Sequence, residues 1–108
     1  MKIAIAATSP DTDAQVDERG ARSPYYQFFD TETDLSEALP NPVAEGERRA
    51  GPQAAAFLIS QGADKVVAGD FGPRFSAELE NAGIVYEQKT GPISEILPGL
   101  KRQSITGG

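Results

Sequence analysis

The groups able to do chemistry in this chain are arginines, carboxylates and backbone amides, because it contains no cysteine and no histidine. That absence removes disulfides, Cys/His zinc sites, thiolate-ligated iron–sulfur clusters, cysteine nucleophiles and His-dependent triads. Any metal must be held by carboxylates, by Met1, or through ligands of its own. The stretch with most to offer is Val66-Val67-Ala68-Gly69-Asp70-Phe71-Gly72-Pro73-Arg74. An apolar strand breaks at Gly69, and Gly72-Pro73 suits the cap and first position of a helix, where the missing proline N–H is no loss. Amides just beyond Pro73 would face whatever lies above the strand end, with the positive end of the helix dipole behind them. The turn is a candidate anion cradle. Gly-Pro recurs at Gly51-Pro52 and Gly91-Pro92, so three helices could share one start signal and one binding edge. A single copy is also ordinary helix punctuation.

The cationic candidates surround this turn. Arg19 and Arg22 lie in a polar loop that ends at Pro24 and also carries Asp11, Asp13, Asp17 and Glu18. They can bind an anion, stay solvated, or pair with Asp17 and Glu18. Arg74 follows the central turn, Arg48 and Arg49 precede Gly51 and could close over the same edge, and Lys89 comes just before Gly91. Solvent exposure is the usual fate of such residues. Phe71 and Phe75 could line an apolar wall or simply pack in the core. A carboxylate-based enzyme is not expected. Strand one has no acidic residue, the acids of the first loop lack EF-hand spacing, and Asp70 alone cannot build a two-metal site. Gly69-Asp70-Phe71-Gly72 also lacks the Walker lysine and the dinucleotide glycine spacing.

Positioning these groups needs a scaffold, and the pattern predicts one. The 108 residues, 39% hydrophobic and 24% charged, suit one soluble domain. A net charge of −6, with scattered basic residues, argues against nucleic-acid or membrane binding. With no signal-like or membrane-spanning stretch, the cytoplasm is the expected compartment. Lys2–Ala7 reads as a strand buried on both faces, and Tyr25–Asp30 as a second strand in a hairpin with a weaker third at Leu35–Leu39. A mobile loop is expected from Val43 to Ala50. A helix follows Gly51-Pro52 and stops at Gly62, and Lys65–Ala68 is the fourth strand. The next helix repeats Phe75, Leu79 and Ala82 on one face, and Ile84–Tyr86 is the fifth strand. The last helix presents Ile93, Ile96, Leu97 and Leu100, with Pro98 expected to cut or kink it. The domain is expected to span 1–100, with 101–108 a flexible tail. The result is an α/β fold, a mixed sheet of about five strands with helices on both faces. The loops after Ala7, Ala68 and Glu87 would form one edge.

Arg22-Ser23-Pro24-Tyr25-Tyr26, Gly51-Pro52-Gln53-Ala54-Ala55, Ala68-Gly69-Asp70-Phe71-Gly72-Pro73-Arg74-Phe75 and Ala82-Gly83-Ile84-Val85-Tyr86, in that order, resemble the nitrogenase iron–molybdenum cofactor accessory family. The resemblance covers residues 1–100. It implies a ribonuclease H-like fold and the binding or carrying of molybdenum- or iron-containing sulfide clusters. In one branch, the orange protein, this is a molybdenum–copper sulfide cluster held without covalent attachment. Many members carry His-Phe-Gly-Arg before the second strand, whereas this chain has Arg19-Gly20-Ala21-Arg22. The arginine is kept and the histidine is replaced, which favours holding an anion by charge. The expectation is therefore a non-enzymatic carrier or assembly factor for an anionic molybdenum-containing sulfide cluster of Mo–Cu or Fe–Mo type. A cluster-donor or acceptor protein is the implied partner. The candidate cluster-binding residues are Arg19, Arg22, Gly69, Phe71, Gly72, Arg74, Lys89 and Gly91, with the Arg19–Arg22 loop a mobile wall opposite the cradle. An oxyanion- or nucleotide-binding regulatory module is the alternative, and a structural partner that docks through this edge is a third reading.

Overall fold

Ile3 to Ala7 are apolar without alternation, and such a run is stable only where both faces are covered. In the computed structural model, which describes residues 1–43 and 50–106, these residues are fully buried. They belong to β1 (Lys2–Ala7), the middle strand of a five-stranded sheet. β2 (Tyr25–Asp30) pairs with it antiparallel, and β3 (Ser36–Pro40) lies antiparallel beyond β2. On the other side β4 (Lys65–Ala68) and β5 (Val85–Gln88) run parallel to β1, giving the order β3-β2-β1-β4-β5. The helices are α1 (Ala50–Ser60), α2 (Pro73–Asn81) and α3 (Ile93–Thr106). This arrangement is the expected mixed α/β sheet and is compatible with a ribonuclease H-like fold. No helix of the described residues is long and apolar enough to cross a membrane.

Strand alternation divides the core into two layers. Ala4, Ala6, Val66 and Ala68 join Tyr26 and Phe28 on the face covered by α1 and α2, where Leu58, Phe75 and Leu79 pack. Ile3, Ile5 and Val67 lie on the opposite face under Ile93 and Leu100 of α3. Small residues of β1 stand beside large ones of β2, with Ala4 opposite Phe28 and Ala6 opposite Tyr26. The alanines leave room for the rings, which gather around Phe57 at centroid distances of 6.1 and 6.5 Å.

Several boundaries differ from the pattern reading. β3 starts at Ser36 because Leu35, 70% exposed, belongs to the turn that Asp34 makes in the left-handed region at φ 62. β5 starts one residue later than expected and runs to Gln88, while Ala82 is exposed at the cap of α2. Pro98 neither cuts α3 nor ends it, and the helix continues through residues 101–106, where a tail was expected. The carbonyl that Pro98 leaves without a partner is that of Ser94, and both residues are exposed, so water can serve it. Arg48, Arg49 and the loop expected around them, together with residues 107–108 of the tail, lie outside the described residues.

The parallel edge carries a compact ion-pair group. Glu87 on β5 accepts Lys65 of β4 at 2.8 Å and Lys89 at 3.1 Å. The Lys65 hydrogen bond is the leading reason its carboxyl lies below the ordinary 4.5. A carboxyl lowered in the folded state stabilises the fold above its unfolded pKa, and that contribution disappears as pH falls through the folded value. Glu87→Gln is therefore expected to be less stable than the parent in urea unfolding at pH 7, with the gap closing below the ordinary carboxyl range. A gap independent of pH would contradict this role.

Candidate functional site

After Ala7 the chain loops out and returns. Gln27, buried on β2, donates from Nε2 to the carbonyls of Ser9 at 3.0 Å and Asp11 at 2.9 Å, which fixes the outer part of this loop. Residues 14–17 then run back beside the end of β1. The Thr8 N–H donates to the Gln15 carbonyl at 3.0 Å and the Asp17 N–H to the Ala6 carbonyl at 2.8 Å. Along the other side, the Val16 N–H donates to Gly91 at 3.0 Å, and the Ile93 N–H donates to Ala14 at 3.1 Å. The Asp17 carbonyl accepts the Gly69 N–H at 2.9 Å, and the Asp70 carbonyl accepts the Gly20 N–H at 3.1 Å. The expected mobile wall is thus stitched to the ends of β1 and β4 and to the start of α3, its polar backbone satisfied by theirs.

Two glycines make this approach possible. A Cβ on Gly69 would sit 2.7 Å from the Cα of Glu18, and one on Gly20 would sit 2.6 Å from the Asp70 carbonyl oxygen. Neither distance is compatible with a side chain. Beneath the loop, the Tyr26 hydroxyl donates to the Gly20 carbonyl, and burial pushes this phenol above its ordinary value of 10. Asn41, also buried, donates from Nδ2 to the Ala21 and Ser23 carbonyls at 2.9 Å each, which holds the backbone on both sides of Arg22.

The docked loop, the turn after β4 and the first turns of α1 and α2 enclose an open cavity of about 750 Å³. The loop contributes Glu18, Arg19 and Arg22, the turn Gly69, Asp70 and Gly72, and α2 Arg74 and Phe75. Gly72 caps α2 with extended backbone and no side-chain bond, and Pro73 takes the first position. The first amides the helix offers are those of Arg74 and Phe75, which have no backbone acceptor among the described residues. Gly51 of α1 closes in beside them, since a Cβ there would lie 2.9 Å from the Phe75 nitrogen.

The electrostatics are balanced rather than strongly positive. Buried Asp17 accepts the Arg19 backbone N–H at 2.8 Å, and its Nε and Nη2 groups at 3.0 Å each. That hydrogen bonding is the main cause holding the Arg19 pKa above its ordinary value. Glu18 and Asp70 share the rim with Arg19, Arg22 and Arg74. Arg74, exposed, makes no ion pair or side-chain hydrogen bond among the described residues. The charged residues lining the cavity are thus of both signs, and the start of α2 adds two amides without a backbone acceptor among the described residues. Among the described residues no group of three or more acidic, cysteine or histidine side chains could hold a bare metal ion.

Of the residues singled out from sequence, Arg19, Arg22, Gly69, Gly72 and Arg74 meet at this cavity, while Phe71, Lys89 and Gly91 are not in its lining. Phe71 stacks on Phe75 at 5.6 Å and against Tyr86 at 4.9 Å. Lys89 is paired with Glu87 at 3.1 Å. Gly91, at φ +102, forms the turn from β5 into α3 and receives the Val16 amide. The pairing of Arg19 with Asp17 is one of the alternatives the loop composition offered, whereas the roles of Gly20 and Asn41 and the close approach of Gly51 to α2 were not expected. The signals were an asparagine between prolines and, at Gly20, a glycine that no local turn required.

Fold and site together define a small mixed-sheet α/β domain with an arginine-bearing cavity at the carboxyl ends of its parallel strands. The chain belongs to the family described as dinitrogenase iron-molybdenum cofactor, whose model matches residues 1–103. It is similar to the apo form of the orange protein from Desulfovibrio gigas, with a TM-score of 0.84 and 28% identity over 98% of this chain and 88% of that one. It is also similar to a putative NifB protein from Thermotoga, placed in the DUF35 family, with a TM-score of 0.80 and 25% identity over 94% of this chain and 87% of that one. No curated protein matches it in sequence. The family connects the chain with the iron–molybdenum cofactor, through its binding or its biosynthesis.

The close approach of loop and turn has a direct consequence. Gly69→Ala is expected to destabilise the fold by about 1–3 kcal/mol, because the new methyl meets backbone rather than a movable side chain. Gly72→Ser, where a Cβ meets nothing within 4 Å, is expected to stay within about 0.5 kcal/mol of the parent, since serine is itself a good helix cap. Urea unfolding of the two variants checks both values, and equal losses would contradict the assigned roles.

Proposed function

We propose that this protein carries, or helps to assemble, an anionic molybdenum-containing sulfide cluster of Mo–Cu or Fe–Mo type, held without covalent attachment in the cavity between the Arg19–Arg22 loop and the start of α2. The observation that carries this reading is that Arg19, Arg22 and Arg74 line one cavity with the start of α2, where the Arg74 and Phe75 amides have no backbone acceptor among the described residues. Such donors suit the outer sulfides of a cargo that already has its own metal ligands. They do not suit a bare metal ion, which needs anionic or neutral electron-pair donors. Membership of the iron-molybdenum cofactor family supports a cluster as the cargo, and the resemblance to the orange-protein branch supports non-covalent retention. The role is carriage, not catalysis, with the cargo passed from a donor protein or on to an acceptor.

An oxyanion or nucleotide bound at the α2 start is the second reading, favoured by the helix cap alone. The volume of about 750 Å³ exceeds what a single tetrahedral oxyanion fills. Saturable phosphate or nucleotide binding in calorimetry would favour that alternative.

The cluster reading is tested by mixing the apo protein with tetrathiomolybdate, with and without Cu(II), and following the visible chromophore on gel filtration. Co-elution with protein is expected, and its absence under both conditions would contradict the proposal. Arg74→Ala should weaken retention by about 1.5–3 kcal/mol, the value of a hydrogen bond to a charged group. Lys101→Ala, on the outer part of α3, should leave it unchanged.

A further inference from the structure

Asp17 is a carboxylate that is only 4% exposed, and the two residues after it, Glu18 and Arg19, line the open cavity. Its oxygens receive N–H bonds from Arg19, the backbone N and Nε on Oδ1 and Nη2 on Oδ2. Its own backbone is fixed on both sides, donating to Ala6 of β1 and accepting from Gly69 after β4. A carboxylate anchored to the sheet therefore grips a guanidinium whose side chain is 64% exposed and which lines the cavity. An exposed arginine without such a fork is free to sample many rotamers, an entropy that ligand binding would have to remove. The fork takes one edge of the planar guanidinium and leaves the Nη1 side turned away from Asp17.

Resting on the cargo reading above, we infer that Asp17 is a positioning residue: it fixes the Arg19 guanidinium at the cavity mouth and cancels its net charge, so that Arg19 recognises an anionic sulfide- or oxo-bearing cargo through oriented N–H donors. Long-range attraction then falls to Arg74, which makes no ion pair among the described residues. This arrangement selects for acceptor geometry, since a compensated guanidinium gains little from an anion that does not meet its N–H groups in line.

A pure charge effect predicts the opposite result for one substitution. Asp17→Asn removes a negative charge beside the cavity, so an account based on charge alone requires tetrathiomolybdate to bind more tightly. Positioning requires it to bind about tenfold more weakly, the loss of one charge-assisted bond. Arg19→Lys keeps the charge but not the planar fork, should weaken binding similarly, and serves if D17N does not fold. Independently of any cargo, the Arg19 Nε–H should be protected from solvent exchange in the parent and should exchange in Asp17→Ala, which removes both acceptor oxygens, as fast as that of exposed Arg74. Binding at least as tight as the parent in D17N or R19K, or a protected Arg19 Nε–H in D17A, would overturn the inference. If the parent itself retains no thiomolybdate, the cargo reading fails separately, and the Nε–H comparison still decides whether Asp17 positions Arg19.

Discussion

Everything at the functional edge depends on two backbones being allowed to touch. The segment after β1 returns between the ends of β1, β4 and α3, and it can do so only because Gly69 and Gly20 carry no side chain where Glu18 and Asp70 press against them. From that contact follow the position of Arg19, the wall that faces α2, and the volume between them. A second close approach, Gly51 against the Phe75 amide, brings α1 in as the third side. Glycine acts here through its size, not through the left-handed conformations it also permits.

The core and the site are connected rather than merely adjacent. Tyr26 packs with Phe28 and Phe57 under α1, yet its hydroxyl supports the Gly20 carbonyl in the loop above. Asp17 takes its fixed place from the last residues of β1 and hands it on to Arg19. Polar groups of the loop are paired with the sheet ends, so little of the ordering remains for a cargo to supply, and a preorganised site binds with a smaller entropy loss. The price is flexibility, since the loop cannot swing far without breaking bonds to two strands.

What could be read from the sequence was local. The spans of β1, β2 and β4 and the Gly72-Pro73 helix start need only periodicity, β-branched residues and cap chemistry, and they match the structure. Gly51-Pro52 and Gly91-Pro92 look identical on paper but differ in three dimensions. Gly51 and Pro52 are the second and third residues of α1, whereas Pro92 precedes α3 and follows a glycine in the left-handed region. Pro98 does not end α3, because its damage depends on whether the orphaned carbonyl is buried, and Ser94 is exposed. The docking of residues 14–22, the burial of Asp17 and the anchoring by Asn41 all join residues distant in the chain. Lys89 carried the right charge in the right loop, but Glu87, two residues before it on β5, takes that charge.

The central claim, that cargo sits between the docked loop and the start of α2, is tested most directly by residue-resolved NMR of the apo protein titrated with tetrathiomolybdate. Amide shifts are expected to concentrate at Gly20, Gly51, Gly72, Arg74 and Phe75, with α3 and the β2–β3 turn unmoved. Shifts centred on α3 or on the β3 edge, with the Arg74 and Phe75 amides unperturbed, would contradict it.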